Sequence, residues 1–307
     1  MAHIYDQAYF NGQLIAFSDA NLSIASSAVL YGLSVYTVFH VARTASGLQG
    51  FRLPQHFKRL QDSAKIIGIE LPAPGWSYED FVKATKELVA ANAIKKDVLV
   101  RASIHVDALL PGTKSRGLST LLSIFVYDAE PIVPTTGVRL KTSLWRRIPD
   151  TAIPSRAKVN GAYVNSVLAR QDAIDSGYDD CIFLDSQGHV CELSAANIFM
   201  VRDGVLYTPD THSDLLEGIN RLSIMQIARD MRIPVVERSI DLTELYVADE
   251  VFMSGSSAFL SPVIEIDARQ VRNSPGPITK RLRTVYQQTL RGEHADYKEW
   301  LTTLKEN

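Results

Sequence analysis

The chain has 307 residues, 46% of them hydrophobic, and 32 basic and 34 acidic residues mixed along it for a net charge of −2. That is ordinary for a packed globular protein of about two domains, and it lacks the clustered basic stripe of a nucleic-acid binder. No apolar run approaches a membrane span, and the start Met-Ala-His-Ile-Tyr-Asp has neither the basic nor the apolar part of a signal peptide, so a cytoplasmic protein away from any membrane is expected.

Phe10-Asn11-Gly12-Gln13 places Asn-Gly between strand-like residues, which predicts a type I′ hairpin turn with positive φ at both central positions. Leu22 to Val29 is small and Ser-rich. Val35, Thr37, Phe39 and Val41 then alternate with Tyr36, Val38, His40 and Ala42; both sets are largely apolar, which predicts a strand buried on both faces. His40 reads either as a site residue or as a core histidine satisfied by a neighbour. Leu53-Pro54 opens a helix with Phe57, Leu60, Ala64 and Ile67 on one stripe. Arg59 sits beside that stripe and, alone, reads as a solvated residue. Ser77 caps a second helix with Phe81, Ala84, Leu88 and Val89 inward.

Residues 97–106 and 119–127 are predicted strands. Arg101 stands between Val100 and Ala102 in the first, where a bare charge is costly, so it faces either a partner or a ligand. Asp128 to Gly137 holds two prolines and closes on glycine, the pattern of a linker. The expected division is a small α/β domain over 1–127, a linker over 128–137 and a larger α/β domain over 138–307.

The second half opens with a strand near Val138 to Leu144. Pro154-Ser-Arg-Ala-Lys158-Val-Asn-Gly-Ala-Tyr163 then delivers a lysine to the mouth of a helix that runs to about Ser176 and ends at Gly177. A lysine held there, partly desolvated, can lose its proton near neutral pH and attack a carbonyl; taken alone it reads as a surface lysine. A hairpin follows over 180–201. With its turn on Gln187-Gly188, Cys191 would lie opposite Leu184 and Cys181 opposite Ser194, so no disulfide is expected and a reducing compartment fits. Glu192, between Cys191 and Leu193, needs a cationic or protonated partner.

Leu216-Glu-Gly218-Ile-Asn-Arg221 begins a helix running to about Met231. Its glycine and free N–H groups suit a phosphate, although a plain loop-to-helix junction has the same pattern. Short strands are expected at 235–240 and 250–253, then a small-residue turn at Ser256-Ser257 able to meet an anion, and a C-terminal helix at 279–291. The seven histidines show no metal-ligand spacing, and there is no Cys-x-x-Cys; no metal is expected. A lysine nucleophile, a buried acid downstream and two anion-friendly turns together suit pyridoxal phosphate: the lysine forms the Schiff base, the acid keeps the ring nitrogen protonated, and the turns hold the phosphate.

At these residues the sequence resembles the fold-type IV pyridoxal-phosphate enzymes, and within them the branched-chain amino acid aminotransferases. Carrying the resemblance are Tyr31-Gly-x-Ser-Val, Phe51-Arg…His56-x-x-Arg59-Leu, Arg156-Ala-Lys158-Val-x-Gly-x-Tyr163-x-Asn-Ser, Glu192-x-Ser-x-x-Asn-Ile-Phe, Gly218-Ile-x-Arg and Glu250-Val-Phe-Met-Ser-Gly. It implies an α+β, two-domain fold with the cofactor in the cleft between the domains, and a homodimer with a shared active site. It implies that Lys158, on the larger domain, carries the cofactor and shuttles the proton. Glu192 would pair with the pyridinium nitrogen and Tyr163 with the phenolic oxygen. Arg59 would bind the phosphate, aided by Gly218, Ile219, Asn220 and Ser256, with Leu216 against the ring. Ser256 and Ser257 would meet the substrate carboxylate. Tyr31 and Tyr36 would line the pocket, Tyr31 across the dimer interface, beside Thr37, Leu99 and Arg101.

The sequence departs from the family at the substrate positions. Leu99-Val-Arg101 stands where the family carries Tyr-x-Arg, and Tyr36-Thr37-Val38-Phe39-His40 where it carries Phe-Glu-Gly-Ile-Arg. The expected reaction moves the amino group of a hydrophobic, leucine-like L-amino acid to 2-oxoglutarate through pyridoxamine phosphate, with Arg101 helping to bind the distal carboxylate. The altered positions keep two alternatives open: a transaminase for D-amino acids or (R)-amines, and a pyruvate-releasing lyase similar to the aminodeoxychorismate lyases, which also carry a threonine where Thr37 stands.

Overall fold

The computed structural model describes residues 2–72 and 76–306. Strands β1 (Gln7–Phe10) and β2 (Gln13–Ala16) form a hairpin whose Asn11 and Gly12 have φ of 46° and 91°, the turn that Asn-Gly predicts. After them come α1 (Ser27–Leu30), β3 (Ser34–Thr44), β4 (Gly47–Phe51), α2 (Leu53–Ile67), α3 (Tyr78–Ala91), β5 (Val98–Val106) and β6 (Thr120–Asp128). The chain continues with β7 (Val138–Thr142), α4 (Tyr163–Asp175), β8 (Asp180–Leu184), β9 (Val190–Leu193), β10 (Asn197–Arg202) and β11 (Val205–Thr208). It ends with α5 (Ile219–Asp230), β12 (Val235–Glu237), α6 (Leu242–Tyr246), β13 (Glu250–Gly255), β14 (Phe259–Ile266), β15 (Arg269–Gln270), α7 (Pro277–Leu290) and β16 (Leu301–Lys305).

These elements divide into two compact units. Unit 1 comprises Met1–Glu130, Ala157–Ala162 and Thr289–Asn307; unit 2 comprises Pro131–Arg156 and Tyr163–Gln288. Unit 1 holds an antiparallel sheet in the order β16-β4-β3-β5-β6-β1-β2. β3 is buried from Ser34 to Ala42, as its two apolar faces predict. Phe39 points from β3 to the His56 and Phe81 rings at 5.7 and 5.6 Å, which seats α2 and α3 on that face. Ser77 closes a capping box at the start of α3, its Oγ accepting from Asp80 N–H while its own N–H donates to the Asp80 carboxylate.

The division differs from the one expected. The Lys158 segment and the C-terminal end group with unit 1 rather than with the second half. Residues 158–161 run antiparallel to 32–36: Tyr36 N–H donates to Lys158 O at 3.0 Å and Asn160 N–H to Ser34 O at 2.9 Å. β16 pairs with β4. Both pairings join residues far apart in sequence, where composition carries no signal.

Unit 2 holds a mixed sheet in the order β12-β11-β10-β13-β14-β7-β8-β9, with β15 on β14. Its core gathers Val138, Leu140, Ile182, Ile198, Met200, Val251, Met253 and Val263. The β8–β9 hairpin corrects the expected register. Leu184 pairs with Val190 and Ile182 with Leu193. The irregularity between these pairs shifts the register along β9. Cys181 and Cys191 pack into one small cluster with Phe183, Ala169 and Ala173, and both remain free thiols. Among the described residues, no helix is long and apolar enough to cross a membrane.

Candidate active site

In unit 1 the expected residues gather on β3, β5, α2 and the 158–161 segment. Gly32 makes the segment's approach possible: its φ is +65°, and a Cβ there would lie 2.7 Å from the Gly161 Cα. Two backbones can therefore lie together, and Lys158 follows at the end of the contact. Its N–H donates to Ser63 Oγ of α2 at 3.0 Å, and its half-buried side chain brings Nζ to 4.9 Å from the Tyr36 ring centroid.

Arg101 sits diagonally across the β3–β5 ladder from Tyr36, since Val38 pairs with Arg101 and Tyr36 with Ser103. Its guanidinium carbon lies 3.7 Å from the Tyr36 ring centroid, and it donates to Asn160 Oδ1. The Asn160 amide in turn donates to Ser34 Oγ at 2.6 Å. The charge that the sequence leaves unexplained thus rests on an aromatic face and an amide oxygen. Two cations, Lys158 and Arg101, share the Tyr36 ring. Leu99, fully buried, lies on the same sheet face as Arg101, two residues away on β5.

On the opposite face of β3, Thr37 meets α2. Arg59 Nη2 donates to Thr37 Oγ1 at 3.2 Å, and Thr37 Oγ1 lies 2.7 Å from His56 Nδ1. Burial, and then the charges of Arg59, Lys158 and Arg52, push the His56 pKa well below the ordinary 6.5. Burial and then Arg101 bring His105, also on β5, down to about 4. Tyr31 closes the end of α1 and is 47% exposed.

Unit 2 gathers the second set. Glu192 projects from β9 and is buried. Its Oε1 pairs with Arg147 Nη2 at 2.9 Å, while its Oε2 accepts from Leu216 N–H at 3.2 Å and from the Asn197 amide at 3.3 Å. Arg147 is the cation that an acid in an apolar strand calls for. The Trp145-Arg-Arg run was visible in the sequence, but nothing in it pointed to Glu192. Asn197, on β10, also donates to Leu216 O at 2.9 Å, so a single amide ties Glu192 to the loop before α5.

Gly218 is the N-cap of α5, and a Cβ there would lie 2.1 Å from Asn197 Oδ1. The glycine is thus required by close packing over Asn197. No side chain caps α5, which leaves the first-turn N–H groups of Ile219 and Asn220 for an anion. Arg221, wholly buried, anchors this turn by donating to Pro209 O at 2.8 Å and Glu237 Oε2 at 2.9 Å. Ser256 and Ser257 form the turn between β13 and β14, beyond Ser254, which pairs with Asn197. Tyr163 begins α4 and is half-buried. Among the described residues, no group of three or more His, Cys, Asp or Glu is placed to hold a metal ion.

Residues 35–266 match the family described as amino-transferase class IV. The chain belongs to the class IV aminotransferases. A probable branched-chain-amino-acid aminotransferase of Aquifex aeolicus is 37% identical to it over 97% of this chain and 96% of that protein. Among solved structures, the branched-chain aminotransferase of Thermoproteus uzoniensis with norvaline superposes with a TM-score of 0.94 at 36% identity, covering 98% of this chain and 100% of that one. The T.th. branched-chain amino acid aminotransferase, complexed with N-(5'-phosphopyridoxyl)-L-glutamate, gives 0.89 at 35% identity, covering 98% and 99%. The aminotransferase therefore has the fold of these fold-type IV enzymes, as the motifs led one to expect.

Proposed function

We propose that this aminotransferase uses pyridoxal phosphate to move the amino group of a branched-chain L-amino acid to 2-oxoglutarate. The observation that carries the reading is Lys158: a half-buried primary amine held at the Tyr36 ring by a backbone pairing that needs Gly32. The residues fit the cofactor chemically. Arg59 and the uncapped start of α5 suit a phosphate, a buried carboxylate suits a protonated ring nitrogen, and Lys158 suits an aldehyde. When bound, the cofactor supplies an aldehyde that accepts the amino group and a ring that draws electrons from the substrate α-carbon.

The chain's own residues do the rest. Lys158 carries the cofactor and moves the proton at the substrate α-carbon. Glu192 holds the proton of the ring nitrogen, with Arg147 and two N–H donors keeping its carboxylate in place. Tyr163 donates to the phenolic oxygen. Arg59, Gly218, Ile219, Asn220 and Ser256 hold the phosphate, and Leu216 packs on the ring. Ser256 and Ser257 meet the α-carboxylate. Tyr36 and Leu99 shape the substrate wall, while Thr37, expected beside them, turns from the other face of β3 to α2; Arg101 binds the distal carboxylate of the acceptor, a role in keeping with the glutamate adduct of the T.th. relative.

The names of the relatives at 36–37% identity support branched-chain donors over the D-amino acid and lyase alternatives. A homodimer is part of the reading. Ile24, Val29, Leu30, Tyr31, Leu109 and Leu110 of unit 1 are exposed apolar side chains, and a bridge between Ser26 and Leu109 draws their two segments together. Two buried thiols accord with a cytoplasmic location.

The test is a half-reaction. The cofactor-loaded protein, without keto acid, receives L-leucine, D-alanine or (R)-1-phenylethylamine in separate cuvettes, and the cofactor absorption is followed. Conversion with L-leucine alone is expected. Conversion with the D- or (R)-donor alone, or with none of the three, refutes the branched-chain reading.

A further inference from the structure

Thr37 stands where the hydrogen bonding of Arg59 is decided, and its role depends on the reading of Arg59 as the phosphate ligand. The arginine has only N–H donors, so in the 3.2 Å contact Thr37 Oγ1 accepts. The threonine then has one proton to give, and His56 Nδ1 lies 2.7 Å away. Were Nδ1 to carry the ring proton, Thr37 would accept twice and its own proton would be left unpaired at a position with no exposed surface. With the ring proton on Nε2 instead, the Thr37 hydroxyl donates to Nδ1 and the buried Nε2–H becomes the group without a hydrogen-bond partner; in either tautomer Thr37 Oγ1 accepts from Arg59. His56 is 1% exposed and ringed by Arg59, Lys158 and Arg52, which keeps it neutral.

We propose that Thr37, backed by His56, is a positioning residue for the cofactor phosphate: its hydroxyl holds the Arg59 guanidinium so that the remaining N–H groups meet the phosphate. His56 and Arg59 lie three residues apart on α2, on neighbouring positions of one helix, and Thr37 rises from β3 between them. A β-branched side chain in a buried strand has little rotamer freedom, which makes it a firm stop for a long, flexible one. An arginine already held loses less entropy on binding than a free one.

Thr37→Val keeps the shape and removes the hydroxyl; Thr37→Ser keeps the hydroxyl. The full chain, stripped of cofactor, is titrated with pyridoxal phosphate and, separately, with pyridoxal, which lacks the phosphate. The valine variant is expected to weaken pyridoxal phosphate by about tenfold or more and to leave pyridoxal within about twofold, and the serine variant to recover the phosphate ester's affinity. Equal weakening of both ligands, or no recovery with serine, overturns the proposal. Arg59→Met is titrated alongside. If it leaves the ratio of the two affinities unchanged, Arg59 is not the phosphate ligand and the proposal falls with that reading. If it lowers the ratio while Thr37→Val does not, Arg59 keeps its role and only the positioning by Thr37 is refuted.

Discussion

Replacing Arg147 by methionine keeps most of the side-chain volume and removes the charge beside Glu192. The pair is 2.9 Å long, and its side chains are 11% and 9% exposed, so little solvent screening weakens it. Truncating one partner of such a buried pair costs about 3–5 kcal/mol. Here the carboxylate keeps donors from Leu216 and Asn197, at 3.2 and 3.3 Å. Both are long for bonds to a charged oxygen, so they offset part of the loss and leave an expected destabilisation of about 2–3 kcal/mol.

The assay is urea unfolding of the cofactor-free chain by tryptophan fluorescence, applied to Arg147→Met, Glu192→Gln and the double variant. The double variant should cost less than the sum of the singles by about 1.5 kcal/mol or more, because the second change removes a charge already deprived of its partner. If Arg147→Met costs the same in the Glu192→Gln background as in the parent, the two side chains do not support each other. Arg147 would then be no more than a packing residue.

Gly218→Ala places a Cβ 2.1 Å from Asn197 Oδ1, which must push the amide off Leu216 and Glu192; cofactor titration should show weaker binding, and unchanged affinity would mean the loop yields freely. Glu250 accepts from the N–H groups of Ile278 and Thr279 at 3.0 and 2.7 Å, so Glu250→Ala should cost about 1–2 kcal/mol through loss of the α7 cap; a melting temperature within experimental error of the parent's would contradict this. His40 and His105 are held near 4, and His56 well below 6.5, chiefly by burial. Each is a base kept neutral in the folded chain, so between about pH 6.5 and 4 the unfolded chain binds protons that the folded chain refuses. Stability should therefore fall with falling pH, by up to about 1.4 kcal/mol per pH unit for each histidine, with His105→Gln flattening the slope by one such share. An unchanged slope in that variant would mean His105 titrates normally.

How far the sequence could be read depended on whether a feature is local. The Asn11-Gly12 turn, the α2 stripe of Phe57, Leu60 and Ala64, and the Ser77 cap follow from neighbouring residues, and each is found where predicted. The twice-buried β3 was legible because both alternating sets are apolar. The placing of the Lys158 segment in unit 1 was not, since it depends on a pairing with residues 32–36, far earlier in the chain. The same limit governs the polar groups. A charge in an apolar strand announces a need, and Arg101 and Glu192 both did so. The groups that answer the need, Asn160 and the Tyr36 face for the arginine and Arg147 for the acid, come from distant segments. Thr37 is the sharpest case. Its place in an alternating strand marks it as a core position or a substrate wall, whereas its hydroxyl lies between two side chains of a helix further along the chain. A threonine where the resemblance leads one to expect a glutamate therefore does not by itself argue for a changed substrate, since the position also bears on the arginine assigned to the phosphate.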